Sequence, residues 1–158
     1  MPARAPLVRA VVDTNVLVRG LISDAGPSAR IAEAARARRF ELVTSTYLLD
    51  ELADVLMRPH IRLLTGHDAV DVANQVAAIR LCGYLVGGVY VDIDMVPTDQ
   101  KDNPVVACAL EGDASYLATE DRRDLLPLKD HHVAGHRVLH VVTPDHFVRH
   151  VLAATGAR

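Results

Sequence analysis

The sequence predicts an α/β domain of three layers, an α/β/α sandwich in which a mainly parallel central sheet carries helices on both faces. Short β-branched runs alternate with longer amphipathic segments, the pattern of parallel βαβ units. Most joining segments are short, as one compact domain requires. The 158 residues suffice for one core without disulfides or a structural metal, and residues 7–154 are read as that single domain. Residues 1–6, with Pro2 and Pro6, are read as a flexible N-terminus.

Strands are expected near 7–12, 41–44, 89–93, 115–119 and 138–142. Helices are expected near 15–22, 27–39, 46–57, 67–81, 103–112 and 144–153, with a short turn at 122–126. The apolar run Val8 to Val12 stops at Asp13, and Thr14 or Asn15 can start the first helix. The second helix is Ala-rich and carries Arg30, Arg36, Arg38 and Arg39. In the third, Leu48, Leu49, Leu52, Val55 and Leu56 form one apolar arc at 100° per residue. Gly87-Gly88 and the stretch from Pro97 to Asp102 punctuate the middle. Asp102 or Asn103 can cap the helix that follows, Pro104 suits its first turn, and Val105, Val106, Ala109 and Leu110 supply its core stripe. The run Ser115 to Thr119 ends in polar residues at Glu120 and Asp121.

Composition narrows the function classes. Lys plus Arg number 17 against 20 Asp plus Glu, a net charge of -3, so no global basic field advertises nucleic acid. A local patch must do that work: the arginines of the second helix are the densest candidate and Arg58 with Arg62 a second group, with a solvated helix face the favoured alternative. No apolar run approaches the ~20 residues of a bilayer span, and no basic, apolar and cleavage-site succession opens the chain, so a soluble cytoplasmic protein is expected. Cys82 and Cys108 sit among apolar residues without CxxC spacing and read as reduced core thiols. His146 and His150 have a spacing that can hold zinc, but no third ligand has matching spacing; with His131, His132, His136 and His140 they read as surface histidines. The chain has no Gly-x-Ser-x-Gly elbow and no Gly-rich phosphate loop with Lys. A phosphoaspartate hydrolase is disfavoured because Asn15 stands where a second Asp is needed.

Four acids carry the functional signal. Asp13 and Asp121 sit at strand ends, Asp102 opens a helix, and Glu51 lies at the edge of an apolar arc from which Asp50 and Asp54 point away. In an open α/β sheet the carboxyl ends of the strands form the ligand crevice, so residues a hundred positions apart can meet there. Asp99 is the reserve ligand, Asp124 is expected to cap or pair with a nearby Arg, and Glu120 is expected to project away. Two carboxylates ~5 Å apart repel by roughly 3 kcal/mol at an effective dielectric near 20, so a convergent cluster calls for a cation. Hard oxygen donors without Cys or His select Mg²⁺ or Mn²⁺. Such ions serve metal-assisted phosphodiester hydrolysis.

These residues resemble the PIN-domain family of metal-dependent nucleases. The resemblance runs from Val8 to Val142 through Val-Asp-Thr-Asn-Val at 12–16, Thr-Ser-Thr-Tyr-Leu-Leu-Asp-Glu-Leu at 44–52, Asp-Asn-Pro-Val-Val-Ala-Cys-Ala-Leu at 102–110 and Tyr-Leu-Ala-Thr-Glu-Asp-Arg-Arg-Asp-Leu-Leu at 116–126. It implies a PIN-like fold and an acidic metal centre of Asp13, Glu51, Asp102 and Asp121, with Asn15, Ser45 and Thr119 in support. It also implies endoribonuclease activity, a homodimer, and the role of a VapC-like toxin with a small antitoxin partner. Alternatives are a non-toxic RNA-processing nuclease or a non-catalytic binding module with a degenerate acidic site. Arg122 and Arg123 are the expected contacts to the RNA backbone, and a single-stranded or looped substrate is expected. Glu120 departs from the family's last block, which often has Gly before its Asp.

Overall fold

Strand β1 (Arg9–Val12) lies inside the sheet, where a continuous apolar run belongs, because a parallel strand buries both of its faces. A computed structural model of the chain describes residues 6–87, 103–132 and 137–156. The strand expected at 89–93 and the first five residues lie outside the described residues. Within them, β1 is joined by β2 (Glu41–Thr44), β3 (Tyr84–Leu85), β4 (Tyr116–Ala118), β5 (Asp130–His131) and β6 (Leu139–Val142) in the order β3-β2-β1-β4-β6-β5. All neighbours run parallel except β5 with β6. Val11 pairs with Val43 on one side and Leu117 on the other, and Leu117 with Val141.

Strand alternation sorts these residues into two cores. Ala10, Val12, Leu42 and Ala118 pack with α1 (Thr14–Ile22), α2 (Pro27–Arg36), α3 (Thr46–Leu56) and α5 (Ala69–Cys82). Phe147, Val151 and Leu152, in a π-helical stretch between α7 (Pro144–His146) and α8 (Ala153–Gly156), close the same layer. Val11, Val43, Leu117, Leu139 and Val141 face the other way, against α6 (Asn103–Glu111). This is the three-layer α/β/α arrangement predicted from the pattern. Helix α1 sits close to α2 because Gly20 has no side chain: a Cβ there would collide with the backbone carbonyl of Ser28. Overpacking of this kind costs about 1–3 kcal/mol.

The chain leaves β1 toward β2 and β3 on one side, then returns to place β4 and β6 on the other. The order therefore reverses between β1 and β4, and the crevice at the carboxyl ends of these strands is the expected ligand site of such a sheet.

Local departures have physical reasons. Helix α2 stops at Arg36, short of 39, because Arg38 adopts φ 53° and turns the chain so that Phe40 enters the core. Helix α4 (Pro59–Thr65) was not expected; it buries no residue, so no inward stripe marks it, although Pro59 at its start and left-handed Gly66 at its end are helix signals. Strands β3 and β5 have two residues each, too few for a periodicity, and β5 places His131 in the sheet instead of a loop. Arg30, Arg36, Arg38 and Arg39 are exposed, as are Arg58 and Arg62. Cys82 and Cys108 are free thiols. No helix among the described residues is long and apolar enough to cross a membrane.

Candidate active site

Asp13 follows the last residue of β1 and precedes α1, so it stands at the switch point of the sheet. Its backbone N–H donates to the Ala118 carbonyl at 2.9 Å, tying the ends of β1 and β4 together. The residue is only 8% exposed, and its carboxylate makes no capping bond further into α1. Instead Oδ2 accepts a 2.7 Å hydrogen bond from the hydroxyl of Thr119, which is fully buried. The same hydroxyl oxygen accepts from the Asp121 N–H at 3.0 Å, and Asp121 Oδ1 accepts from the N–H groups of Arg123 and Asp124, both at 2.9 Å. Thr119 thus couples the carboxyl group of Asp13 to the turn that presents Asp121.

Glu51 arrives from α3. The helix is oriented by burial of Leu48, Leu49, Leu52, Val55 and Leu56, which leaves Glu51 half-buried and Asp50 and Asp54 exposed, as the apolar arc requires. Glu51 Oε2 accepts from the hydroxyl of buried Thr14 at 2.7 Å. Two neighbouring threonines of the crevice therefore each fix one carboxylate. Burial raises the Asp13 pKa above the ordinary carboxylate value, and the negative charges of Glu51 and Asp121 push the same way, against the Thr119 hydroxyl and the Thr14 backbone N–H. Both acids are close enough for their charges to be felt at Asp13.

A cleft of about 430 Å³ opens over Asp13. Asn15, Val18, Arg19 and Ile22 line one wall, spaced as one face of α1, and Glu120 and Asp121 line the other. Glu120, expected to project away, instead faces this cleft and pairs with Arg19 at 2.7 Å; alternation along β4 does not extend past Ala118, where the strand ends. Arg19 and Thr14 were missed from the sequence, though Arg19 lies four residues after Asn15 and a helical wheel drawn from Asn15 would have found it.

The remaining candidates are dispersed. Ser45 caps α3 by accepting from the Leu48 N–H at 3.2 Å, and its hydroxyl also hydrogen-bonds the Cys108 thiol. Burial pushes that thiol up to about 12, so Cys108 is an inert core group. Arg122 is exposed in a cleft beyond Glu120, and Arg123 is exposed with its Nε 3.9 Å from buried Asp124. His146 and His150 are exposed, their rings 4.6 Å apart. Asp99 and Asp102 lie outside the described residues. Among the described residues, no three acidic, His or Cys side chains form a group that could hold a metal ion. The donor chemistry around Asp13 still fits a hard divalent cation: carboxylate oxygens, threonine hydroxyls, no thiolate, and a buried carboxyl group whose charge is opposed by its surroundings.

Because folding raises the Asp13 pKa, the native state holds a proton that the unfolded chain releases. Stability then falls as pH rises from the unfolded value of 3.8 through the raised native value, and the penalty persists above it. Asp13→Asn, which keeps an acceptor for Thr119 and removes the charge, is expected to raise the Tm of the EDTA-treated protein at pH 7.5 and to leave it unchanged below pH ~2.5, where both states are protonated. Thermal melts across that range check this; a lower Tm at pH 7.5 would contradict it.

Residues 9–123, from β1 to the turn that carries Asp121, match the family model of the PIN domain, a family whose members are generally nucleases. A comparison with curated proteins found no match. The match spans most of the chain and contains Asp13, Thr14, Glu51, Thr119 and Asp121. The chain belongs to the PIN-domain family.

Proposed function

We propose that this chain is a Mg²⁺- or Mn²⁺-dependent endoribonuclease whose centre is Asp13, Glu51 and Asp121, completed by Asp102 or by Asp99. The observation that carries the proposal is the buried carboxyl group of Asp13 at the switch point, hydrogen-bonded by Thr119 and within reach of two further carboxylates, in a chain of a nuclease family. A divalent ion held there would lower the pKa of water and offset charge on the non-bridging phosphate oxygens. The protein's own groups do the rest. Thr119 holds the Asp13 carboxylate in one orientation, Thr14 does the same for Glu51, and Ser45 supports the centre by fixing the helix that carries Glu51. Asn15, exposed at the cleft, offers hydrogen bonds to the substrate. Arg122 and Arg123 contact the RNA backbone.

Incubation of a structured RNA with the pure protein should give cleavage in Mg²⁺ or Mn²⁺ and none in EDTA. Asp13→Asn should lower the rate by about a hundredfold or more. Cleavage that survives EDTA and the substitution would refute the proposal; absence of cleavage by a protein that also binds no metal would favour a non-catalytic binding module.

The toxin role rests on the family resemblance: a homodimeric, cytoplasmic ribonuclease held in check by a small antitoxin. Expression in a bacterial host is then expected to arrest growth, and Asp13→Asn to relieve the arrest. Normal growth with demonstrably active enzyme would leave the non-toxic RNA-processing role.

A further inference from the structure

We propose that Arg19 is a phosphate anchor on a nucleic-acid track crossing two adjoining clefts, and that Glu120 occupies Arg19 until a strand phosphate displaces it. The proposal rests on the nuclease reading and assigns a part of the strand path outside the acidic centre. The cleft over Asp13 and a second cleft of about 510 Å³ share Arg19 and Glu120 in their linings. The ion pair is therefore the sill between them. Arg19 Nη1 lies 2.7 Å from both Oε1 and Oε2 of Glu120, so one nitrogen straddles the carboxylate. Nε and Nη2 have no acceptor among the described residues.

The second cleft is suited to a strand. Pro27, Leu126 and Pro144 give it apolar surface on which a ribose or base can lie. Its other acid, Asp145, is engaged by Arg149 at 2.9 Å, and Arg122 has no carboxylate partner among the described residues. Arg19 and Arg122 balance Glu120 and Asp145 in its lining, so this cleft carries no net negative charge. The acidic cleft, by contrast, has Arg19 as its sole cation among the described residues. A polyanion approaching Asp13 and Asp121 meets repulsion that, among the side chains lining this cleft, Arg19 is placed to offset.

The pair is built to open. Its side chains are 62% and 39% exposed, and exposed pairs of this kind contribute about 0–1 kcal/mol to stability. Helix α1 is anchored without it by buried Val16, Leu17 and Val18 and by the close contact at Gly20. A phosphodiester offers the guanidinium two oxygens in the geometry its planar fork favours. Arg19 is thus a positioning residue, set to hold the strand while the acidic centre acts on a neighbouring phosphate.

The test uses a fluorescein-labelled single-stranded oligoribonucleotide, with anisotropy in EDTA and in Mg²⁺ and with cleavage kinetics in Mg²⁺. Glu120→Gln should tighten Kd and lower KM about threefold or more, with kcat within about twofold of wild type. Arg19→Ala should raise both constants about tenfold and reduce the slope of log Kd against log salt by ~0.7, the loss of one phosphate contact. Arg19→Lys should recover part of the affinity, and Glu120→Gln should have no effect in an Arg19→Ala background. An equal effect of Glu120→Gln with and without Arg19, or an Arg19→Ala variant with unchanged KM and salt slope, would overturn the anchor while leaving the nuclease reading intact if wild type cleaves. The expected binding pattern without cleavage by any form would support the track and refute the nuclease. Failure of wild type to bind the strand in either condition would overturn both.

Discussion

Asp13 carries its carboxyl group out of solvent at the end of an inner strand, and the Thr119 hydroxyl that meets it comes from 106 residues further along the chain. That bond forms only if β1 and β4 lie side by side, parallel, with Val12 opposite Ala118. The same register sets the backbone bond from Asp13 to Ala118 and places Asp121 just beyond the strand. The site is thus a consequence of sheet order: the chain builds β2 and β3 to one side of β1, and β4 must come back to the other for the crevice to exist.

Charge at this point works against folding. Burial and two nearby carboxylates oppose ionisation of Asp13, and hydrogen bonds from Thr119 and Thr14 offset only part of that cost. A chain selected for stability alone would place Asn or Ser here, where either could satisfy Thr119. An acid in such surroundings fits a group whose charge is used, and a hard cation would offset that charge. The inert Cys108 thiol shows the other outcome of burial: a polar group with no charge to use, simply incorporated in the core.

Much of this was legible in the residues. The apolar run ending at Asp13, the arc of α3 that singled out Glu51 over Asp50 and Asp54, and the run before Asp121 are strong periodic signals, and they placed two carboxylates at strand ends and one at the edge of a helix's buried face. What escaped lay where periodicity carries no information. Helix α4 buries nothing, β3 and β5 are two residues long, and α2 ends because one backbone angle at Arg38 turns positive. Glu120 was expected to project away, but β4 ends at Ala118, so its direction is set by the turn that Asp121 closes. Thr14 looked like a helix starter; its role in holding Glu51 depends on α3 crossing α1, a tertiary fact.

The central proposal is that Asp13, Glu51 and Asp121 contribute to a divalent-ion site at the switch point. Titration of the metal-free protein with Mn²⁺, followed by loss of the free-ion EPR signal, tests it most directly. Saturable binding that Mg²⁺ displaces, and that Asp13→Asn, Glu51→Gln and Asp121→Asn each weaken, is the expected result. No binding, or binding indifferent to all three substitutions, would contradict the account.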